Sequence, residues 1–393
     1  MISEPLGAQH VERRSRAIKV LHIITGLEVG GAETMLFKLL GKCEEMGTMS
    51  EVLSLKDAGP IGARILTMGV PVHTLDLGSP AVGGFAACRR VIRSVRPDVV
   101  HTWMYHANLL GGLAARSLGI RRIVWGIRSA DAFTRAKPMT KAVIRACQAM
   151  SRRIPAQVVF CSERARDLHC RSGYPADRCV VIPNGFDLGR FQPDDRARAN
   201  LRAELGLSPD SVLVGLIARF HPDKDHQNFV DSAKRAIQIV PDLHFVLAGS
   251  GCAMDNIVLR GWISEAGLAS RFHLLGRRDD VERLTAALDM AVLSSATEAF
   301  PNVVGEAMAC GVPCAVTDVG DAAAIVGDTG LVVPPKDPEA LGAGIAHLAS
   351  LGSGKRRILG ERARARIEQN FELGAVARHY RELYERLVKE VVR

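Results

Sequence analysis

Short apolar runs alternate along this chain with longer stretches whose apolar residues recur at helical spacing. Residues 19–25 (KVLHIIT) read as a buried parallel strand, 26–31 as a glycine loop, and 32–42 as a helix. The same alternation returns with strands at 51–55, 70–75, 98–101 and 158–161, and with helix-compatible stretches such as 108–118 and 162–172. Pro183-Asn184-Gly185 marks a turn, and residues 191–195 (FQPDD) read as a linker between domains. Beyond it the pattern restarts: strands 212–218, 244–248, 272–275, 290–293, 313–317 and 331–333, with helices 227–240, 256–266, 281–287 and 303–310. This order predicts an α/β chain with two doubly wound parallel sheets, each covered on both faces. Ligands of such sheets bind beyond the carboxyl ends of the strands, so two facing sheets predict a site in the cleft between them. Residues 1–16 lack any period and read as a flexible tail. The first domain then covers 17–190 and the second 191–370. Residues 371–393 predict an amphipathic helix, with Phe371, Val376, Tyr380, Leu383, Tyr384, Leu387 and Val391 on its apolar side.

Length and composition agree with two domains. The chain has 393 residues, 47% hydrophobic and 24% charged, enough for packed interiors and unlike a disordered chain. No run reaches the roughly 18 apolar residues that span a bilayer, and the first residues carry no apolar signal-peptide core. The expected location is therefore cytoplasmic. Nine cysteines, an odd number without a C-x-x-C pair, read as reduced and buried thiols. Cys161, Cys170 and Cys179 are spaced too widely for a thiolate zinc site, and no metal site is expected.

Charge changes the picture more than composition does. The net charge is +9, but residues 1–190 hold 27 basic against 15 acidic residues, while the remainder holds 24 against 27. Nine basic residues and the single acid Asp131 fall between Arg121 and Arg153. Such a cluster suits an anionic membrane surface, a phosphorylated acceptor or nucleic acid. With 5% aromatics and no stacking stripe, nucleic acid is the poorest of the three.

Candidate chemistry sits at the strand ends. Gly30-Gly31-Ala32-Glu33 precedes the first helix, where a backbone can approach an anion, but its spacing is not G-x-G-x-x-G and does not support a dinucleotide cofactor. Arg219 and Lys224 follow the first strand of the second half and could neutralise a diphosphate. Asp223-Lys224-Asp225 has the form D-x-D, yet a lysine between the acids would repel a dication, so it reads as helix-start chemistry. The most informative segment is Glu298-Ala-Phe-Pro-Asn-Val-Val-Gly-Glu306, followed by Ala-Met-Ala-Cys-Gly311. Pro301 suits a helix start and Gly311 its end, so Glu298 lies before the helix and Glu306 more than one turn inside it. The amides of Phe300, Pro301, Asn302 and Val303 would lie between the two acids, offered to a diphosphate.

These segments resemble the group-1 (GT4) family of retaining glycosyltransferases, which share the twin Rossmann-like GT-B fold. The resemblance runs from Lys19 onward and rests on Gly30-Gly31-Ala32-Glu33, residues 181–187 (VIPNGFD), Arg219 with Lys224, residues 247–251 (LAGSG), and the Glu298/Glu306 pair. It implies transfer of a sugar from a nucleotide-diphosphate donor with retention at the anomeric carbon, with no metal and no cofactor. Arg219 and Lys224 would hold the diphosphate, Glu306 the ribose, Glu298 and the Phe300–Val303 amides the donor sugar, and Gly31 the approach to the phosphate. The loop at Arg277 would lie near the base. The C-terminal helix would cross back onto the first domain. Relatives tend to carry a first-domain histidine against the transferring sugar. Here Trp103 stands at one such position and Arg128 at another, so His106 is the candidate sugar contact, Arg128 and Asn184 face the acceptor or a phosphate, and His101 satisfies a strand end. The acceptor implied is lipid-linked or a glycan in cell-surface polysaccharide or glycoconjugate synthesis, met at the inner membrane face. A nucleotide-sugar epimerase of the same architecture and a non-catalytic sugar-nucleotide-binding protein are the other readings.

Overall fold

The computed structural model describes residues 17–75, 82–129 and 137–390. The expected tail at 1–16 lies outside these residues, as do Asp131 and Arg135 of the basic cluster.

Among the described residues the first sheet has seven parallel strands: β1 (Lys19–Ile24), β2 (Met49–Ser54), β3 (Val72–Thr74), β4 (Val99–Trp103), β5 (Ile123–Ile127), β6 (Gln157–Phe160) and β7 (Cys179–Val181). The second has six: β8 (Val212–Ile217), β9 (Leu243–Ala248), β10 (Phe272–Gly276), β11 (Met290–Leu293), β12 (Cys314–Thr317) and β13 (Leu331–Val333). β5 and β7 are strands that the apolar pattern does not announce. β5 (IVWGI) is fully buried but interrupted by glycine, and β7 is a three-residue edge strand.

The strand orders are β3-β2-β1-β4-β5-β6-β7 and β10-β9-β8-β11-β12-β13. Each order reverses once, at β1/β4 in the first sheet and at β8/β11 in the second. A reversal leaves two successive connections on opposite faces and opens a crevice at the carboxyl ends of the two strands. The segments that follow β1, β4, β8 and β11 therefore line the cleft. They are the glycine loop, the His106 turn, the Arg219–Lys224 stretch and the Glu298 segment.

The C-terminal helix Leu373–Glu390 returns to the first domain, as its apolar spacing predicts. Its Val376, Ala377, Tyr380, Leu383, Tyr384 and Leu387 join the core formed by β1 and the helix Gly31–Glu45. Chain passes from one domain to the other at Phe186 and again at Leu373. These two crossings are tied to each other: the Phe186 amide donates to the Phe371 carbonyl at 2.9 Å and the Leu373 amide to the Phe186 carbonyl at 3.0 Å. The Phe186 ring stacks on Phe300 with centroids 6.2 Å apart, in a space kept open by Gly305, where a Cβ would fall 2.0 Å from the ring.

Candidate functional site

The helix Asn302–Ala309 begins at the carboxyl end of β11. Pro301 is its N-cap and provides no side-chain hydrogen bond, whereas Asp225 caps the neighbouring helix His226–Ile239 through the Asn228 amide. Its first turn thus presents unpaired N–H groups and the positive end of the helix dipole. Pro301 has no N–H, so the donors are the amides of Phe300, Asn302 and Val303, three rather than the four expected. The helix Gly31–Glu45 across the cleft also starts without a side-chain cap, at Gly30. Gly31 faces Asn302 closely, since a Cβ at Gly31 would lie 3.6 Å from the Asn302 Nδ2. Two helix starts thus meet at the cleft, one from each domain, and at the Gly31 helix the Glu33 carboxylate lies beside Gly30 and accepts from its own backbone amide.

The two carboxylates are each held by a lysine. Glu298 pairs with Lys224 and accepts from the Ser295 hydroxyl at 2.8 Å. Glu306, on the fifth residue of its helix, pairs at 3.2 Å with Lys38 from the first-domain helix, and both side chains are largely buried. Lys38 and Ser295 carry no sequence signal: Lys38 lies 268 residues from its partner and meets it only because the domains close. The acids of D-x-D serve local structure. Asp225 adopts φ 47° and caps a helix, and the Asp223 carboxylate lies 3.4 Å from His221. Among the described residues no three His, Cys, Asp or Glu side chains gather as metal ligands. The nine cysteines are free and eight are buried, with Cys314 pushed up to about 12 by burial.

A second chain of contacts reaches the cleft from the first domain. Arg128 follows β5, lies over Trp103 at 4.7 Å, and donates to Tyr380 of the C-terminal helix and, at 2.8 Å, to the Asn184 side-chain oxygen. The Asn184 amide donates onward to Asn302 at 2.7 Å, which brings Arg128, Asn184 and the Asn302 helix start together. Tyr380 is the member that sequence reading missed, because it looked like one more apolar position of an amphipathic helix. His101 differs from expectation. It lies within β4, fully buried, and bonds the Tyr384 hydroxyl at 2.7 Å, so it anchors the C-terminal helix rather than finishing a strand. His106 opens the helix Tyr105–Ser117 and is half-buried, its pKa lowered by burial and by the nearby charge of Lys56.

Arg219 is exposed after β8 and has no protein partner among the described residues. Arg277 is also exposed, 3.8 Å from Asp279, while its neighbour Arg278 is locked between Asp280 and Glu204. The structure thus joins Arg128, Asn184, Asn302 and Gly31 in one chain of contacts, and separately pairs Glu306 with Lys38 and Glu298 with Lys224 within and before the same helix. Arg219, Arg277 and His106 stand outside that contact network.

Two facing parallel-sheet domains, a cleft between their switch points and a C-terminal helix crossing back define the GT-B architecture. The fold has close counterparts: the Anabaena protein Alr3699/HepE, solved in complex with UDP, matches with a TM-score of 0.82 over 93% of this chain and 99% of that one, at 23% identity. Family models agree on both halves. "Glycosyltransferase Family 4" matches residues 29–190 and "Glycosyl transferases group 1" residues 211–350, together more than half of the chain. The chain belongs to the group-1 (GT4-like) glycosyltransferases. Among named relatives, the Escherichia coli UDP-Gal:alpha-D-GlcNAc-diphosphoundecaprenol alpha-1,3-galactosyltransferase is 26% identical over 58% of this chain and 60% of its own length. The D-inositol 3-phosphate glycosyltransferase of Mycolicibacterium gilvum is 38% identical over 42% of this chain and 37% of its own. The aligned stretches thus span under two thirds of either relative.

Proposed function

We propose that this chain moves a sugar from a nucleotide-diphosphate donor to a lipid-linked acceptor, with retention at the anomeric carbon and without a metal ion. The observation that carries this reading is the convergence of both switch points on one cleft, where an uncapped helix start, a lysine and two carboxylates face the glycine loop. Arg219 and Lys224 supply the positive charge that a departing diphosphate needs, which leaves no task for a dication. The amides of Phe300, Asn302 and Val303 hold the donor phosphates, Glu306 accepts from ribose hydroxyls, and Glu298 accepts from a sugar hydroxyl. Donor entry exchanges two contacts: Lys224 leaves Glu298 for the phosphates, and Lys38 gives up Glu306 to the ribose.

In the transfer, the bond from the anomeric carbon to the diphosphate oxygen breaks and the acceptor oxygen bonds to the same face of that carbon. The departing phosphate oxygen takes the acceptor's proton, so no enzymic nucleophile is needed. Gly31 leaves room for the phosphate, His106 contacts the transferring sugar, and Arg128 with Asn184 steadies the acceptor side. Arg277 lies beside the base. A donor of this class is supported by the UDP bound in the Anabaena structure, and a lipid diphosphate acceptor by the printed name of the E. coli relative. The basic excess of the first domain supports work at the anionic inner face of a membrane.

Two measurements test the reading. Lys224→Ala and Glu306→Ala should each lower turnover by about 10²-fold or more, on the scale of losing a preorganised electrostatic partner; near-normal transfer in either would sink this site. UDP- and GDP-sugars should be compared by thermal shift. The true donor at 100 times its Kd adds about 2.7 kcal/mol and raises Tm.

A further inference from the structure

The basic cluster of the first domain does not form one surface. Part of it converges on an open hollow of about 340 Å³ lined by Arg116, Arg121, Arg152, Arg153 and Arg178. These residues come from four places in the sequence. Arg116 ends the helix Tyr105–Ser117, Arg121 precedes β5, Arg152 and Arg153 precede β6, and Arg178 precedes β7. In a parallel sheet the amino ends of the strands share one edge. The hollow therefore lies at the edge opposite the cleft, separated from it by the length of β5, about 15 Å at 3.3 Å per residue.

No carboxylate lines the hollow, and none of the five guanidinium groups makes an ion pair among the described residues. Arg178 is held in place through Nη1, which donates to the Arg152 carbonyl at 2.8 Å and the Pro155 carbonyl at 3.2 Å. Five like charges gathered in one concavity repel one another, and in water that arrangement is stable only at a cost. A solvated helix face carries its charges along one helix; here four segments bring theirs to the wall of one open hollow, with Arg116, Arg121, Arg152 and Arg153 exposed to solvent. Guanidinium forks match phosphate oxygens in pairs, and the volume suits a compact ligand rather than a polymer.

We propose that this hollow is a second anion site, taking a ligand with clustered phosphate groups, distinct from the donor cleft and independent of the transferase reading. The ligand comes either from solution as a short oligophosphate or from a membrane as a multiply phosphorylated headgroup, and the test separates these sources. Inorganic tripolyphosphate should raise the Tm of the wild-type chain saturably. It should do so equally in Lys224→Ala, which removes a cation from the donor cleft. In the double variant Arg116→Gln/Arg152→Gln, whose two side chains bond to nothing among the described residues, the rise should fall at least threefold, while the ligand-free Tm stays level or increases because repulsion is relieved. In parallel, vesicles of phosphatidylcholine with phosphatidylinositol bisphosphate, whose headgroup carries clustered phosphates, are sedimented with each protein. Loss of tripolyphosphate stabilisation in the double variant supports a soluble ligand, and loss of vesicle binding in the same variant supports a headgroup. The proposal is overturned if neither probe binds, or if both bind the double variant as they bind wild type. Stabilisation by nucleotide sugar, measured on the same samples, reports separately on the donor cleft.

Discussion

Histidines here are mostly kept neutral. His22 is fully buried and its pKa is lowered to about 3, His226 to about 4, and His101 well below the ordinary value, in each case chiefly by burial. The native chain therefore binds fewer protons than the unfolded one as pH falls below about 6.5. The stability these groups contribute is complete above that pH and is lost progressively toward the lowered native values. Each pH unit below 6.5 costs about 1.4 kcal/mol for every histidine that stays neutral. Thermal melts from pH 7.5 to 5 should show a falling Tm, with a shallower slope in His22→Gln whatever its starting point; equal slopes would refute the account. Tyr380 makes a second case at this scale. Tyr380→Phe leaves the ring in place but removes the acceptor for Arg128. If Arg128 positions Asn184 and Asn302, the variant should raise KM for the donor several-fold while Tm moves little, and an unchanged KM would make the contact purely structural. The Glu298/Glu306 spacing was readable because one helix start fixes both residues relative to each other. Lys38 and Tyr380 were not, since their partners are set by tertiary closure and their own helices give them unremarkable positions.

Helix packing sets its own constraints. The long helix Gly352–Phe371 lies against the end of the Glu306 helix, and a Cβ at Gly360 would come 1.8 Å from the Gly311 carbonyl oxygen. Gly311 itself has φ 72°, a conformation that favours glycine. Because the obstructing atom is backbone, no rotamer change relieves it. Gly360→Ala should therefore destabilise the chain by about 1–3 kcal/mol, readable in a denaturant titration with unchanged slope. A stabilised or neutral variant would mean the two helices part more readily than the packing implies. Element by element, most strands and helices were legible from apolar runs, since buried parallel strands write themselves as such runs. β5 and β7 escaped, yet β8 also holds a glycine and β13 also has only three residues, so neither feature alone hides a strand; pairing with their neighbours is what defines them.

At the scale of the whole molecule the domains are latched as well as connected. Asp321 of the second domain accepts from the amides of Glu163 at 2.8 Å and Arg164 at 3.2 Å, at the start of the first-domain helix Glu163–Arg171. A carboxylate is thus lent by one domain to a helix start of the other. Asp321→Ala removes the latch while keeping the backbone bond from position 321 to the Ala299 carbonyl, and small-angle scattering of the ligand-free chain should then give a larger radius of gyration; no change would show that the remaining contacts suffice. The two-domain plan was visible in the restart of the strand pattern near residue 212, whereas the latch was not, because nothing local marks Asp321 as a partner for a distant helix.

The paired crossings at Phe186 and Leu373 dictate how such a molecule can open. A ligand entering between Gly31 and Asn302 requires those faces to part. Sliding one domain past the other would break both backbone bonds that tie the crossings, and would drag the Phe186 ring out of the space left by Gly305. Tilting breaks neither. The paired crossings therefore resemble the fixed pin of a clasp: an opening that keeps both bonds is a tilt, and a tilt preserves the register of the two faces.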